Sequence, residues 1–211
     1  MIGLPGNFGM DEYVQKIYLL EAATQCQFAA NAVHALNNLL PKWEEATHNG
    51  NADVQTTLHH EIFRTIHSLM THASNVSKLF WPATPQRRSN ESDTDFHSRC
   101  ATMPKIARAT ELRNLLGLPE DGHALKSRKL RDHLEHFDER LDHWQTNSAK
   151  KNYFHDSIGS REHLAGFEDV DIMRWFDPAK KRMLFRGESF DIQELVNGIS
   201  DVLTRLENLH T

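Results

Sequence analysis

The chain has 211 residues and a formal net charge of −5, with 39% hydrophobic and 25% charged residues. That length holds one domain with a real core, and the composition is that of an ordinary globular protein. No apolar run approaches the ~20 residues of a membrane helix, and an acidic balance disfavours a surface that coats phosphate backbones wholesale.

The opening MIGLPGNFGMDEY lacks a basic start and a long apolar stretch, so no secretory signal is expected. Residues 11–40 contain no Gly or Pro, and Val14, Ile17, Tyr18, Ala22, Cys26, Ala29, Val33, Leu36 and Leu40 recur at three- and four-residue steps. This predicts one long amphipathic helix ending near Pro41. Asn49-Gly50-Asn51 marks a turn. A second long helix is predicted over 52–81, with Val54, Leu58, Ile62, Ile66, Leu69, Ala73, Val76 and Phe80 as its stripe and Pro82 as its stop. Residues 82–100 are polar and Pro/Ser-rich and read as a loop, in which Arg87-Arg88 is expected to be solvated. A third helix is predicted over 103–117, on Ile106, Ala109, Leu112 and Leu116, and a fourth over 124–146.

Past Asn147 the pattern turns irregular to about 170. DIMRWFD, PAKK and RMLFRGESFD then read as strand, turn and strand, with Trp175, Phe176, Phe185 and Phe190 covering the core rather than stacking on bases. Asp191 is placed to cap a last helix carrying Leu195, Ile199, Leu203 and Leu206 on one face. The expected fold is mainly α: an up-and-down bundle of four to five helices with a β-hairpin before the C-terminal helix. Residues 1–146 form the bundle, and 147–211 pack on it because a lone hairpin is marginal. Of the two cysteines, Cys26 is expected in the core and Cys100 in the loop. Two cysteines make no disulfide framework, which fits a reducing cytoplasm.

The segment RKLRDHLEHFDERLDHW, residues 128–144, carries most of the chemistry. Leu130, Leu134, Phe137, Leu141 and Trp144 step by four and three and predict a seam facing the core. Arg131 then points about 100° to one side of Leu130 and His136 about 120° to the other. One account is a solvated face in which Arg131 pairs with Glu135, an i,i+4 contact of about 0.2–0.5 kcal/mol. The other is half of a catalytic site. Lys126, Arg128, Lys129 and Arg131 crowd four cations near a helix N-terminus, where the macrodipole disfavours them. An anionic partner would explain that cost. A two-fold axis would bring the Arg of one subunit toward the His of the other.

Arg131-Asp132-His133-Leu134-Glu135-His136 resembles the Arg–polar–x-x-x–His motif of the HEPN superfamily (higher eukaryotes and prokaryotes nucleotide-binding). The resemblance covers about residues 11–146. It implies a metal-independent endoribonuclease of the toxin–antitoxin or anti-phage type, working as a homodimer with the motif at the interface. The implied partners are an RNA substrate and an antitoxin or regulatory protein, with no membrane and no cofactor. In that scheme His136 is general base or acid, because an imidazole titrates near neutrality. Arg131 neutralises the charge that builds on the phosphorane-like transition state. Asp132 or Glu135 orients either one, and Arg128 and Lys129, with His133 beside them, hold flanking RNA.

Two rivals stand beside it. One is a non-catalytic helical module that binds a protein partner. The other is a metal-binding bundle enzyme, suggested by His59-His60-Glu61, by His133 with His136 and by Glu45 with His48. No second Glu-x-x-His stands in a matching place, and no His-Glu-x-x-His, Cys-x-x-Cys or Gly-rich phosphate loop occurs. No metal is therefore expected, and His59, His60, His67 and His72 are expected on the polar side of the second helix.

Overall fold

A computed structural model describes residues 10–127, 136–163 and 166–209. The chain is mainly helical, and the described residues hold six α-helices and one four-stranded sheet. Among them no helix is long and apolar enough to cross a membrane.

Helix α1, Glu12–His48, starts where the Asp11 side chain accepts the Val14 N–H. Helix α2, Ala52–Phe80, starts where Asn51 accepts from Val54 N. The Asn49–Asn51 reversal, with Gly50 at φ 66, lays them side by side and antiparallel. Gln25 reaching His72 and Gln55 reaching Thr47 confirm that register. Small residues on α1, namely Ala22, Cys26, Ala29 and Ala32, let Ile62, Ile66, Leu69 and Val76 of α2 come close. Cys26 and Cys100 are both buried and free, and burial pushes the Cys26 thiol up to about 12.

Three sequence expectations are corrected here. Helix α1 does not end near Pro41 but runs through it to His48, because Trp43 packs on the core and Ala46 is buried. Ile17 and Val54 fall outside the buried stripe and are exposed. The third correction lies in the 82–100 loop, which contains α3, Asp93–Ala101. This helix buries only Cys100 and is held by polar chemistry: Ser92 caps it, Asp93 and Asp95 sit in its first turn, and Arg99 binds Glu91 at 2.7 Å.

Helix α4, Pro104–Leu116, opens with Pro at its first turn and closes on left-handed Gly117, φ 62. Its buried Arg113 donates to the Phe80 carbonyl and so ties α4 to the end of α2. The predicted continuous helix over 124–146 is not formed. Ala124–Lys126 is a single 3₁₀ turn that ends on extended Ser127, and α5 spans only Phe137–Asn147. Leu130 and Leu134 of the predicted seam lie outside the described residues. Phe137 is 58% exposed, and no α5 residue is buried. Hydrogen bonds and half-buried Leu141 hold α5 instead: Trp144 donates to Asn152 O, and buried Ser148, just past the helix, donates to buried Asp171.

Strands β1 (Phe154–Ile158), β2 (Ile172–Asp177), β3 (Arg182–Phe185) and β4 (Glu188–Asp191) lie in that order. The expected hairpin is β2–β3, but its second strand breaks at Arg186-Gly187, both at positive φ, into the tight β3–β4 turn. The stretch expected to be irregular supplies β1, parallel to β2. Asp191 ends β4 and caps α6, Ile192–Asn208, as its sequence position suggested. The core runs continuously through α1, α2, α4, the sheet and α6, with Met183, Phe185, Ile199, Val202 and Leu206 in the same cluster as Ile66 and Leu112. Leu125 of the 3₁₀ turn lies so close to Gly198 that a Cβ there would meet its side chain at 3.1 Å.

Candidate functional site

Of the seven residues singled out in the motif segment, Arg128, Lys129, Arg131, Asp132, His133 and Glu135 lie outside the described residues, so the structure does not place them. His136 is placed. It does not ride on the flank of a helix; it is the non-helical residue at the start of α5, φ −120 and ψ 40. Its side chain is half exposed, and its Nδ1 stands 3.1 Å from Glu139 Oε1. Among the described residues Glu139 is its polar side-chain neighbour.

The next residue, Phe137, overhangs a cavity of about 300 Å³. Helix α5 contributes Phe137 and Leu141 to its wall, Tyr153 comes from the chain entering β1, and His155 from β1 itself. Buried Met173 and Phe185 form the floor, with Arg174 of β2 and His67 of α2 facing in. Sheet register explains part of this convergence. Arg174 pairs with Asp156 of β1 on one side and with Phe185 of β3 on the other. Their side chains therefore share one face, and that face looks at α2. Arg174 lies 5.9 Å from the Phe63 ring, and His59, Phe63 and His67 follow one another at four-residue steps. The expectation that His59, His60, His67 and His72 sit on the polar side of α2 holds for His60 and His67, which are exposed, and is corrected for His59 and His72, which are half-buried. His59 meets Phe63 edge-on, His67 lines the cavity, and His72 bonds Gln25 of α1 at 2.8 Å.

Electrostatics in the cavity are close to balanced. Arg174 Nε is 2.5 Å from Asp156 Oδ1, and its Nη2 is 3.1 Å from Oδ2. His155 bridges the two, with Nδ1 3.1 Å from Asp156 and Nε2 3.0 Å from Arg174. One tautomer satisfies both contacts: Nδ1–H donates to the carboxylate and Nε2 accepts from the guanidinium. Partial burial lowers the His67 pKa, and the Arg174 charge lowers it further. Burial also lowers the His59 pKa, with the Asp156 charge opposing. Tyr153 is pushed up, chiefly by burial. On the far side of α5, Arg186 donates to the Arg140 carbonyl and meets His143 Nδ1 at 2.6 Å.

Sequence reasoning missed His67, Tyr153, His155 and Arg174 as site residues. The i, i+4, i+8 spacing of His59, Phe63 and His67 was the one available signal. Among the described residues no three His, Cys, Asp or Glu side chains come together as a metal site. Compared with protein-family models, curated proteins and solved structures, the chain gives no match in any of the three.

Proposed function

We propose that the chain is a HEPN-like, metal-independent endoribonuclease that acts as a homodimer in the cytoplasm, as a toxin or anti-phage effector held in check by an antitoxin or regulatory protein. The observation that carries this is the half-exposed imidazole of His136 at the start of α5, five residues after Arg131 in sequence and next in the chain to Phe137 of the cavity wall. The RNA supplies its own nucleophile. The 2′-oxygen attacks phosphorus as its proton passes to a neutral imidazole. The bond to the 5′-oxygen breaks as that oxygen takes a proton from a charged imidazole. The products are a 2′,3′-cyclic phosphate and a 5′-hydroxyl, with no metal and no redox change. Arg131 offsets the charge on phosphorus, Asp132 or Glu135 orients it, and Arg128 and Lys129, with His133, hold the flanking strand.

In the test, purified protein is incubated with single-stranded RNA in excess EDTA. Cleavage to cyclic-phosphate ends is expected, with a loss of at least about a hundredfold in Arg131→Ala and His136→Ala at unchanged thermal midpoints. Equal cleavage by the variants would sink the assignment.

A second reading, a non-catalytic module that binds a protein partner, draws on a separate observation. Tyr13, Leu20, Ile17 and Phe28 leave an apolar strip along α1 exposed, at 73%, 65%, 49% and 46% respectively. Partner binding lost on Leu20→Asp, with no RNA cleavage by the wild type, would favour it.

A further inference from the structure

We infer that the cavity under Phe137 takes one unpaired heteroaromatic base, held flat between apolar walls with its polar edge against His67 and Arg174. That the ring is a nucleobase rests on the ribonuclease reading; that it is a neutral ring rests on the cavity itself.

Size comes first. About 300 Å³ holds one nucleoside and no more, so a duplex is excluded and an unpaired residue is admitted. Charge comes next. Arg174 is already neutralised by Asp156 at 2.5 Å, and His67 is held below its ordinary pKa by partial burial and by that same guanidinium. Among the described lining residues a phosphate inside would find no uncompensated cation, and it would be desolvated against Met173 and Phe185, both buried. A neutral base meets none of that penalty. It gains apolar contact from Leu141, Met173 and Phe185 and a stacking face from Phe137. Its edge meets the His67 imidazole, which can donate at one nitrogen and accept at the other, while His155 stays bonded to Asp156 and Arg174. Finally, Phe137 follows His136 directly, about 3.8 Å away along the chain, so a base under the phenyl ring leaves its sugar and phosphate near the imidazole.

The full-length protein is titrated with adenosine, guanosine, cytidine, uridine and ribose 5-phosphate while the imidazole C–H resonances of His67 and His155 are followed by NMR. At least one nucleoside is expected to shift both signals saturably, and ribose 5-phosphate neither. Phe137→Ala is expected to weaken that nucleoside about tenfold without moving the thermal midpoint, since Phe137 is exposed. The assignment is overturned if no nucleoside shifts the two signals, if ribose 5-phosphate shifts them equally, or if Phe137→Ala binds as the wild type does. Cleavage is scored separately. Nucleoside binding without RNA cleavage would keep the cavity assignment and remove the ribonuclease. Cleavage that needs His136 while no nucleoside binds would do the reverse.

Discussion

Asp156 serves two partners with one carboxylate. Arg174 and the His155 Nδ1 both converge on it, and its side chain is only 9% exposed. Asp156→Ala would leave a guanidinium under the Phe63 ring with no countercharge, and a loss of about 3 kcal/mol is expected in urea unfolding. Asp156→Asn should recover part of that loss by keeping the hydrogen bonds; an unchanged midpoint in Asp156→Ala would show that the pair contributes nothing. Almost none of this was legible in the sequence. His67, His155 and Arg174 arrive from α2, β1 and β2, and a local reading cannot see groups that meet only after the sheet closes on the helices. His136 stood out in the sequence because its signal is local, a fixed five-residue spacing from Arg131.

Pro41 shows how elements override local rules. It lacks the N–H that would bond the Asn37 carbonyl, yet α1 continues for two more turns, because Trp43 packs on the core and Ala46 is buried. Pro41→Ala restores that bond and should raise stability by up to about 3 kcal/mol, seen as a higher calorimetric midpoint; an equal or lower midpoint would mean that the helix needs its break there. Helix α3 illustrates the opposite case, an element without an apolar stripe. Periodicity cannot find such a helix, whereas Ser92 followed by Asp95 was a capping signal open to view. Its anchor is Glu91, whose pKa falls from 4.5 to about 2 through its hydrogen bond to Arg99. The depressed value means that this support is complete above about pH 4.5 and is lost as pH falls toward 2. Amide exchange across Asp93–Ala101 should accelerate over that window relative to α4, and the acceleration should vanish in Glu91→Gln; a flat profile in the wild type would remove the anchor.

At the scale of the molecule, the mainly helical fold and the hairpin ahead of the final helix could be read directly, because long 3.6-residue and short two-residue periods are robust signals. The parallel β1–β2 pairing could not. It closes across residues 159–171, where brief 3₁₀ turns leave no period to follow. The proposed chemistry also belongs to this scale. In the proposed chemistry Arg131 of one chain and His136 of its symmetry mate share one phosphodiester. The most direct measurement mixes purified Arg131→Ala and His136→Ala proteins, allows the subunits to exchange, and scores RNA cleavage in EDTA. Each variant alone should be silent, and the mixture should regain cleavage with cyclic-phosphate ends, because each heterodimer rebuilds one intact pair. A mixture as silent as its components, or variants that cleave as the wild type does, would contradict a site shared across the two-fold axis.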